Sequence, residues 1–450
     1  MHPRNPYDGP LDFVKLGEAY EPLKMHLKLD PSSGRASIDF KDEEAQRRLT
    51  EAIMLRDFDI RLNIPENRLC PPVPNRMNYV LWIQDIVHAH QTQQSRHIRG
   101  IDIGTGANVI YPFIACKLEP TWEFFATELD DESYASACKN VASNSLQDRI
   151  HVRKASQDGL ILFVLDEVSG NFEFTMCNPP FYGSAEEIAQ SAEQKELPPN
   201  AACTGADIEM IYSDGGEAGF VCKMVAESEK FQTRCKWYTS MLGKMSSVPT
   251  VVKCFRERSI SNYAITEFVQ GQTRRWAVAW SYIDNHLPDS IARIPSIPNK
   301  HVLYPYMPPK NTLIQTFPGA TTAQLHDTFQ HVLEPMAGVS AVRAPSTENG
   351  DMPHFLVEAQ ENTWSRSARR NHKRRGQPPR DAVEPVVDTA PADSNSPGLT
   401  CSCRVYDGAA SDGQPTAAGV EFQWVYGKDR RLFEGFVGHV SRKIVAALRI

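Results

Sequence analysis

The chain has 450 residues, of which 41% are hydrophobic and 23% charged, and its formal net charge is -7. That length accommodates two or three domains with a sizeable core, and no N-terminal apolar region or long uncharged run marks a secreted or membrane-inserted protein. The negative balance excludes nucleic-acid binding by bulk charge alone, leaving local clusters of cations to do it, and the 10 scattered cysteines read as reduced thiols of an intracellular protein rather than a disulfide framework.

In chain order, Met1–Tyr7 is a polar arm carrying Arg4 and Tyr7; such a start is as readily disordered as it is a binding arm. Arg76 follows a proline-rich loop. A guanidinium there suits bidentate pairing with a carboxylate, the bland alternative being a surface arginine. Arg99–Gly106 reads as a short apolar strand, with Asp102 near its end, running into a Gly104-Thr105-Gly106 turn and a helix over Asn108–Lys117. Glycines let the backbone approach a ligand, and a helix N-terminus offers free N–H groups. A dinucleotide fingerprint requires another glycine where Val109 stands, which argues against NAD or FAD. The next strand, Trp122–Thr127, ends at Glu128, where a carboxylate in a βαβ unit meets a ribose diol.

Phe174–Cys177 is a further apolar run, and it closes on Asn178-Pro179-Pro180-Phe181. An exocyclic amine conjugated to an aromatic ring is a poor nucleophile, so methylating it requires a grip on both of its hydrogens. The Asn178 side-chain oxygen and the Pro179 carbonyl are two acceptors suited to that grip, the two prolines stiffen the loop, and Phe181 can stack on the ring. Alone, Asn-Pro-Pro is also a common turn after a strand. Glycine turn, acidic strand end and Asn-Pro-Pro-Phe in this order, each after a β-like run, are specific together, and the order resembles that of class I S-adenosylmethionine-dependent amino methyltransferases.

Ser184–Asp214 loses periodicity and reads as a long loop over the site, followed by a helix over Gly219–Lys230. Lys244, Lys253, Arg256, Arg258, Arg274 and Arg275 are candidate phosphate contacts, although each alone is more often a solvated cation. The proline-rich stretch 285–299 reads as a domain boundary. Strands are predicted at Val302–Tyr306 and Asn311–Phe317, a helix at Thr322–Met336, and strands at Val339–Arg343 and Phe355–Ala359. The basic run Arg366–Arg375 contains no acid and suits nuclear import or RNA contact. Residues 376–398 read as a disordered linker, after which strands at Cys403–Tyr406 and Val420–Tyr426 precede an amphipathic helix over Lys428–Arg449. Cys401-Ser402-Cys403 lacks zinc-knuckle spacing, and no metal is predicted.

Pro74–Tyr79, Gly100–Ala107, Ala126–Asp131, Met176–Phe181, Trp237–Lys244 and Gln270–Ala277 resemble the methyltransferase-like protein 16 family, and the likeness covers nearly the whole chain. It implies methylation of adenine at N(6) in structured RNA, U6 small nuclear RNA above all, within an ACAGA-type sequence. By resemblance, Arg76, Asp102, Gly104, Gly106, Glu128, Gly159 and Asn178 hold S-adenosyl-L-methionine, Asn178, Pro179, Pro180 and Phe181 form the catalytic loop, and Arg4, Lys244, Arg274 and Arg275 meet RNA. Gln272 stands where the family carries another RNA-contact arginine, and Asp158 where it carries a lysine that blocks the cofactor site.

The expected architecture is α/β: an N-terminal arm and accessory segment (1–76), a class I Rossmann-like methyltransferase domain (77–284), and a C-terminal α+β RNA-binding module in two halves (300–365 and 399–450) split by a basic, disordered linker (366–398). Two other functions stay open: a ribosomal-RNA adenine-N(6) methyltransferase with the same pocket, and an RNA-binding splicing factor with secondary catalysis. The expected location is nuclear, with a cytoplasmic pool also open.

Overall fold

A computed structural model describes residues 1–89, 97–188, 207–271, 273–343, 354–365, 368, 397–407 and 418–449. The basic run 366–375, apart from Ala368, the linker 376–396, the central part of the loop after Ser184, and Gln272 lie outside them. The chain divides into two compact units, one of residues Met1–Ile283 with Ile291–Pro308, the other of Asp284–Ser290 with Pro309–Ile450. Among the described residues no helix is long and apolar enough to cross a membrane.

In the first unit, helices α1 (Glu43–Phe58) and α2 (Val73–His88) precede an alternating run: β1 (Ile98–Ile103), α3 (Ile110–Leu118), β2 (Trp122–Glu128), α4 (Asp131–Ser143), β3 (Ile150–Lys154) and β4 (Phe172–Cys177). Then come α5 (Gly216–Phe231), β5 (Cys235–Leu242), α6 (Ser247–Glu257), β6 (Asn262–Gln270) and β7 (Thr273–Ser281). The seven strands lie in the order β3-β2-β1-β4-β5-β7-β6. The first five are parallel, and β7 is antiparallel to both of its neighbours. A parallel sheet covered on both faces needs strands that are apolar throughout. The sequence supplies them: every residue of β2 except Glu123 is buried, as is every residue of β4 except Glu173. Strand order reverses between β1 and β4, and ligands in such sheets bind beyond the carboxyl ends of the strands at that switch point.

The N-terminal arm is ordered against α2 and the end of α1. His2 N–H donates to Asn78 Oδ1 at 2.9 Å, Asn5 Nδ2 donates to Asn78 Oδ1 at 2.8 Å and to the Pro74 carbonyl at 2.9 Å, and the Tyr7 hydroxyl donates to Asp57 at 2.8 Å. Burial, reinforced by Asp57, raises the Tyr7 pKa above its ordinary value. Asp42 caps α1 by accepting from the Glu44 and Ala45 amides, a contribution of about 1 kcal/mol.

The second unit holds β8 (Thr312–Thr316), α7 (Thr322–Leu333), β9 (Val339–Arg343), β10 (His354–Ala359), β11 (Leu399–Asp407), β12 (Ala418–Tyr426) and α8 (Arg430–Leu448). Its five strands form an antiparallel sheet in the order β8-β12-β11-β10-β9. Phe329 and Leu333 of α7 and Phe436 and Val440 of α8 pack with Phe355 and Phe422 of the sheet in one core. The sequence-predicted strand at Val302–Tyr306 is instead a turn leading into a 3-10 segment at Tyr304–Tyr306. Pro305 lacks the donor a strand ladder needs and fixes φ in the helical range, and Leu303 is buried as a single anchor.

Candidate active site

Between the carboxyl ends of β1, β2 and β4 lies a cavity of about 560 Å³, a volume suited to a nucleoside-sized ligand. Its wall begins with the turn after β1. Gly104 and Gly106 have φ of +66° and +68°, conformations open to glycine and strained for other residues. Val109, which caps α3, also sits in the left-handed region with φ of 51° although it is β-branched and fully buried. The turn is braced from outside: Asn140 donates to the Ala107 carbonyl at 2.9 Å and Asn108 to the Leu69 carbonyl at 2.7 Å.

Glu128 forms the second wall at the end of β2. Its buried carboxylate accepts from the amides of Gly106, Leu129 and Asp130, each at 2.8 Å. Burial raises its pKa, and these three backbone bonds work in the opposite direction. The strand end is tied to the N-terminal segment by the buried Arg68, which meets Asp130 at 2.7 Å, Glu132 at 2.8 Å and Ser133 at 2.8 Å. Leu69, Pro71 and Arg76 of that segment line the cavity, and the Arg76 guanidinium lies 5.7 Å from the Tyr111 ring centroid. Arg76 is in the first turn of α2, which Pro72 and Pro74 set at its start.

The third wall is Asn178, Pro179, Pro180 and Phe181, beyond β4, with Gly159 completing the opposite side. Seven residues read from the sequence thus converge with Arg76 and Glu128 on one cavity. Asp102 does not line it: it is buried behind the turn, its carboxyl pushed up to about 7 by burial and the Glu128 charge, with Thr105 and Arg76 opposing. The Asn178 Oδ1, Thr105 Oγ1 and Asn108 Oδ1 atoms and both Asp102 oxygens are buried without a hydrogen-bond partner among the described residues. Buried polar atoms of this kind call for a ligand or solvent partner. Unpaired acceptors around a glycine turn, a cation at one end and a carboxylate at the other fit a nucleoside carrying an amino-acid tail.

The four RNA-contact residues read from the sequence divide. Arg275 is half-buried close to Arg76, and its pKa is lowered by burial and then by the Arg76 charge. Lys244 lies 5.0 Å from the Tyr182 ring centroid and is paired with Glu187. Arg274 is exposed, 3.5 Å from Glu267. Arg4 pairs with Asp85 at 2.5 Å and with Gln84 at 3.0 Å, on α2 roughly 13 Å along the helix from Arg76 at 1.5 Å per residue. Asp158 lines the cavity, and so does Lys223 from α5. Sequence reading passed over Lys223, Tyr111, Asn108 and Glu209, because their approach to the cavity depends on tertiary packing; only the prolines before Arg76 hinted that 69–76 is part of the wall.

Residues 1–284 match the model of a family described as RNA methyltransferase. A Schizosaccharomyces pombe protein named U6 small nuclear RNA (adenine-(43)-N(6))-methyltransferase is 33% identical over 426 residues, 94% of this chain and 99% of that relative. Among solved structures, the human METTL16 catalytic domain in complex with a MAT2A 3'UTR hairpin is 38% identical with a TM-score of 0.60, covering 66% of this chain and 99% of that one. The N-terminal domain of human METTL16 in complex with SAH is 39% identical with a TM-score of 0.54, covering 63% and 99%. The chain spans about half the length of the vertebrate relatives it matches, 54% for Xenopus laevis and 52% for human. On the match of its first 284 residues and its full-length likeness to the fission-yeast protein, this chain belongs to the RNA methyltransferase family that contains METTL16 and the U6 small nuclear RNA adenine-N(6) enzymes.

Proposed function

We propose that this protein methylates the N(6) amine of an adenosine in structured RNA, with U6 small nuclear RNA as substrate, and that it does so in the nucleus. The observation that carries the reading is the buried, unpartnered Asn178 Oδ1 on a proline-stiffened loop at the cavity rim, beside Phe181. S-adenosyl-L-methionine, when bound, supplies an electrophilic methyl carbon. Arg76 is assigned to its carboxylate, Glu128 to its ribose, Gly104 and Gly106 to close backbone approach, and Gly159 to its adenine side, while Asp102 supports the turn from behind.

The Asn178 oxygen and the Pro179 carbonyl accept the two amine hydrogens and leave the nitrogen lone pair facing the donor side, while Pro180 keeps the loop rigid and Phe181 stacks on the base. As nitrogen becomes cationic both hydrogen bonds strengthen, so these acceptors stabilise the transition state more than the ground state. Transfer from a sulfonium needs positioning rather than a strong base, and the ammonium proton leaves afterwards. Arg275, Arg274, Lys244 and Arg4 are assigned to RNA. Arg275 suits the role best, while Lys244 and Arg4 must exchange Glu187 and Asp85 for phosphate. The C-terminal unit is assigned to raising RNA affinity.

Labelled S-adenosylmethionine and a U6 hairpin bearing the ACAGA segment test the reading, with an A-to-G hairpin as control. Label in the first hairpin alone is expected; label in neither, despite RNA binding, sinks it and moves ribosomal RNA or a binding-only role ahead.

A further inference from the structure

Glu217 opens α5 and is 2% exposed, yet it does not line the cavity. Its carboxylate accepts three hydrogen bonds, from the Gly243 amide at 2.6 Å, the Lys244 amide at 2.8 Å and the Ser247 hydroxyl at 2.6 Å. Those donors span the turn that joins β5 to α6, so one buried side chain closes that turn from a position 26 residues earlier in the sequence. A carboxyl group taken out of water this far needs its hydrogen bonds made, and here two backbone amides and one hydroxyl make them.

What the turn touches gives the clamp its consequence. A β-carbon built on Gly243 lies 2.9 Å from the Phe181 ring and 3.1 Å from a Glu217 oxygen. The Gly243 backbone is therefore wedged between the carboxylate and the aromatic wall of the amine site. On the other side of the loop, Gly216, next to Glu217, packs against the Phe181–Gly183 backbone: a β-carbon there lies 3.2 Å from the Gly183 nitrogen. Lys244, whose amide Glu217 holds, carries its own ammonium over the Tyr182 ring. Glu217 thus holds both flanks of Phe181-Tyr182 through backbone.

We infer that Glu217 is a positioning residue for base capture: by clamping the Gly243–Lys244 turn it sets the ring plane of Phe181 against which the target base stacks beside Asn178. The inference rests on the proposed function and adds a residue that neither touches substrate nor holds cofactor. Loss of the clamp lets the turn and the Phe181 ring relax, so the base is held off line while the cofactor walls at Gly104, Glu128 and Arg76 stay as they are.

The test uses the full chain, its Glu217→Gln and Gly243→Ala variants, and Phe181→Ala as reference. Gly243→Ala keeps the carboxylate and crowds the ring, so it probes the same geometry from the other side. At saturating S-adenosylmethionine and U6 hairpin, kcat is expected to fall about tenfold or more in both variants, as a small misplacement does, while S-adenosylmethionine Kd stays within about threefold of wild type. A hairpin with 2-aminopurine in place of the target adenosine reads base capture without transfer: the emission change on binding wild type is expected to be lost in Glu217→Gln as in Phe181→Ala. Wild-type kcat and emission in Glu217→Gln overturn the inference. So does a kcat loss matched by an equal loss of cofactor affinity or by a collapse of the melting temperature, which assigns Glu217 to folding alone. A wild-type chain that methylates no RNA overturns the parent reading and this inference with it.

Discussion

The two sheets of this molecule solve burial differently, and the difference locates the chemistry. In β2 of the first unit, Trp122, Phe124, Phe125, Ala126, Thr127 and Glu128 are all buried, so neither face is available to a ligand and function is confined to the strand ends. In β10 of the second unit, Phe355, Val357 and Ala359 are buried while Leu356 and Glu358 are exposed. An antiparallel sheet of that kind keeps one solvated face. At the mouth of the first sheet lie the left-handed, β-branched Val109 and the unpartnered Asn178, Thr105 and Asn108 atoms. Strain and unmet hydrogen bonding at one strand end are what a preorganised site looks like before its ligand is considered.

Substitutions that damage one unit and spare the other put this contrast to the test. Phe422 is fully buried, with ring centroids 6.0 Å from Phe329 and 6.4 Å from Phe436. Phe422→Ala is expected to destabilise the second unit by about 3–5 kcal/mol in denaturant unfolding, with S-adenosylmethionine affinity unchanged and hairpin affinity reduced. If cofactor affinity falls as well, the two units are not separable in function. Arg76→Ala does the converse. If Arg76 pairs with the methionine carboxylate as proposed, loss of this buried cation costs about 2 kcal/mol or more, so calorimetry is expected to read a roughly thirtyfold weaker S-adenosylmethionine Kd, with the unfolding of the second unit unaltered.

The smallest effect concerns Asp102, whose carboxyl is pushed up to about 7 by burial. An acid whose folded pKa exceeds its unfolded value carries more protons when folded, so its contribution to stability is lost as pH rises from the ordinary carboxylate range towards 7 and is constant above that. Asp102→Asn removes this titration. The melting temperature of the variant relative to wild type is expected to be higher at about pH 8 than at about pH 5. An equal difference at both pH values contradicts the assignment.

The local motifs were legible in the sequence because their chemistry is local. Gly104 and Gly106 declare a turn, Glu128 follows its strand directly, and Asn178-Pro179-Pro180-Phe181 carries its rigidity in its own prolines. The α/β class and the alternating strands of the C-terminal unit were legible through periodicity. What could not be read are pairings across long separations. Arg68 bracing Asp130, Glu217 holding Gly243, and Lys244 answering to Glu187 each join segments whose proximity only the packed sheet creates. Asp102 was assigned to the cofactor by resemblance alone, and its buried side chain is not part of the cavity lining. Val302–Tyr306 looked like a strand by composition, and Pro305 decided otherwise.

The central claim is that the Asn178 oxygen holds the target amine while other residues hold the donor. Single-turnover transfer to the U6 hairpin by Asn178→Ala, with S-adenosylmethionine Kd and hairpin Kd determined on the same preparation, addresses it directly. The account predicts a rate lowered by about a hundredfold or more, as when one preorganised transition-state hydrogen bond is removed, with both dissociation constants within a few-fold of wild type. A variant that transfers at the wild-type rate, or that loses rate only in proportion to cofactor binding, contradicts it.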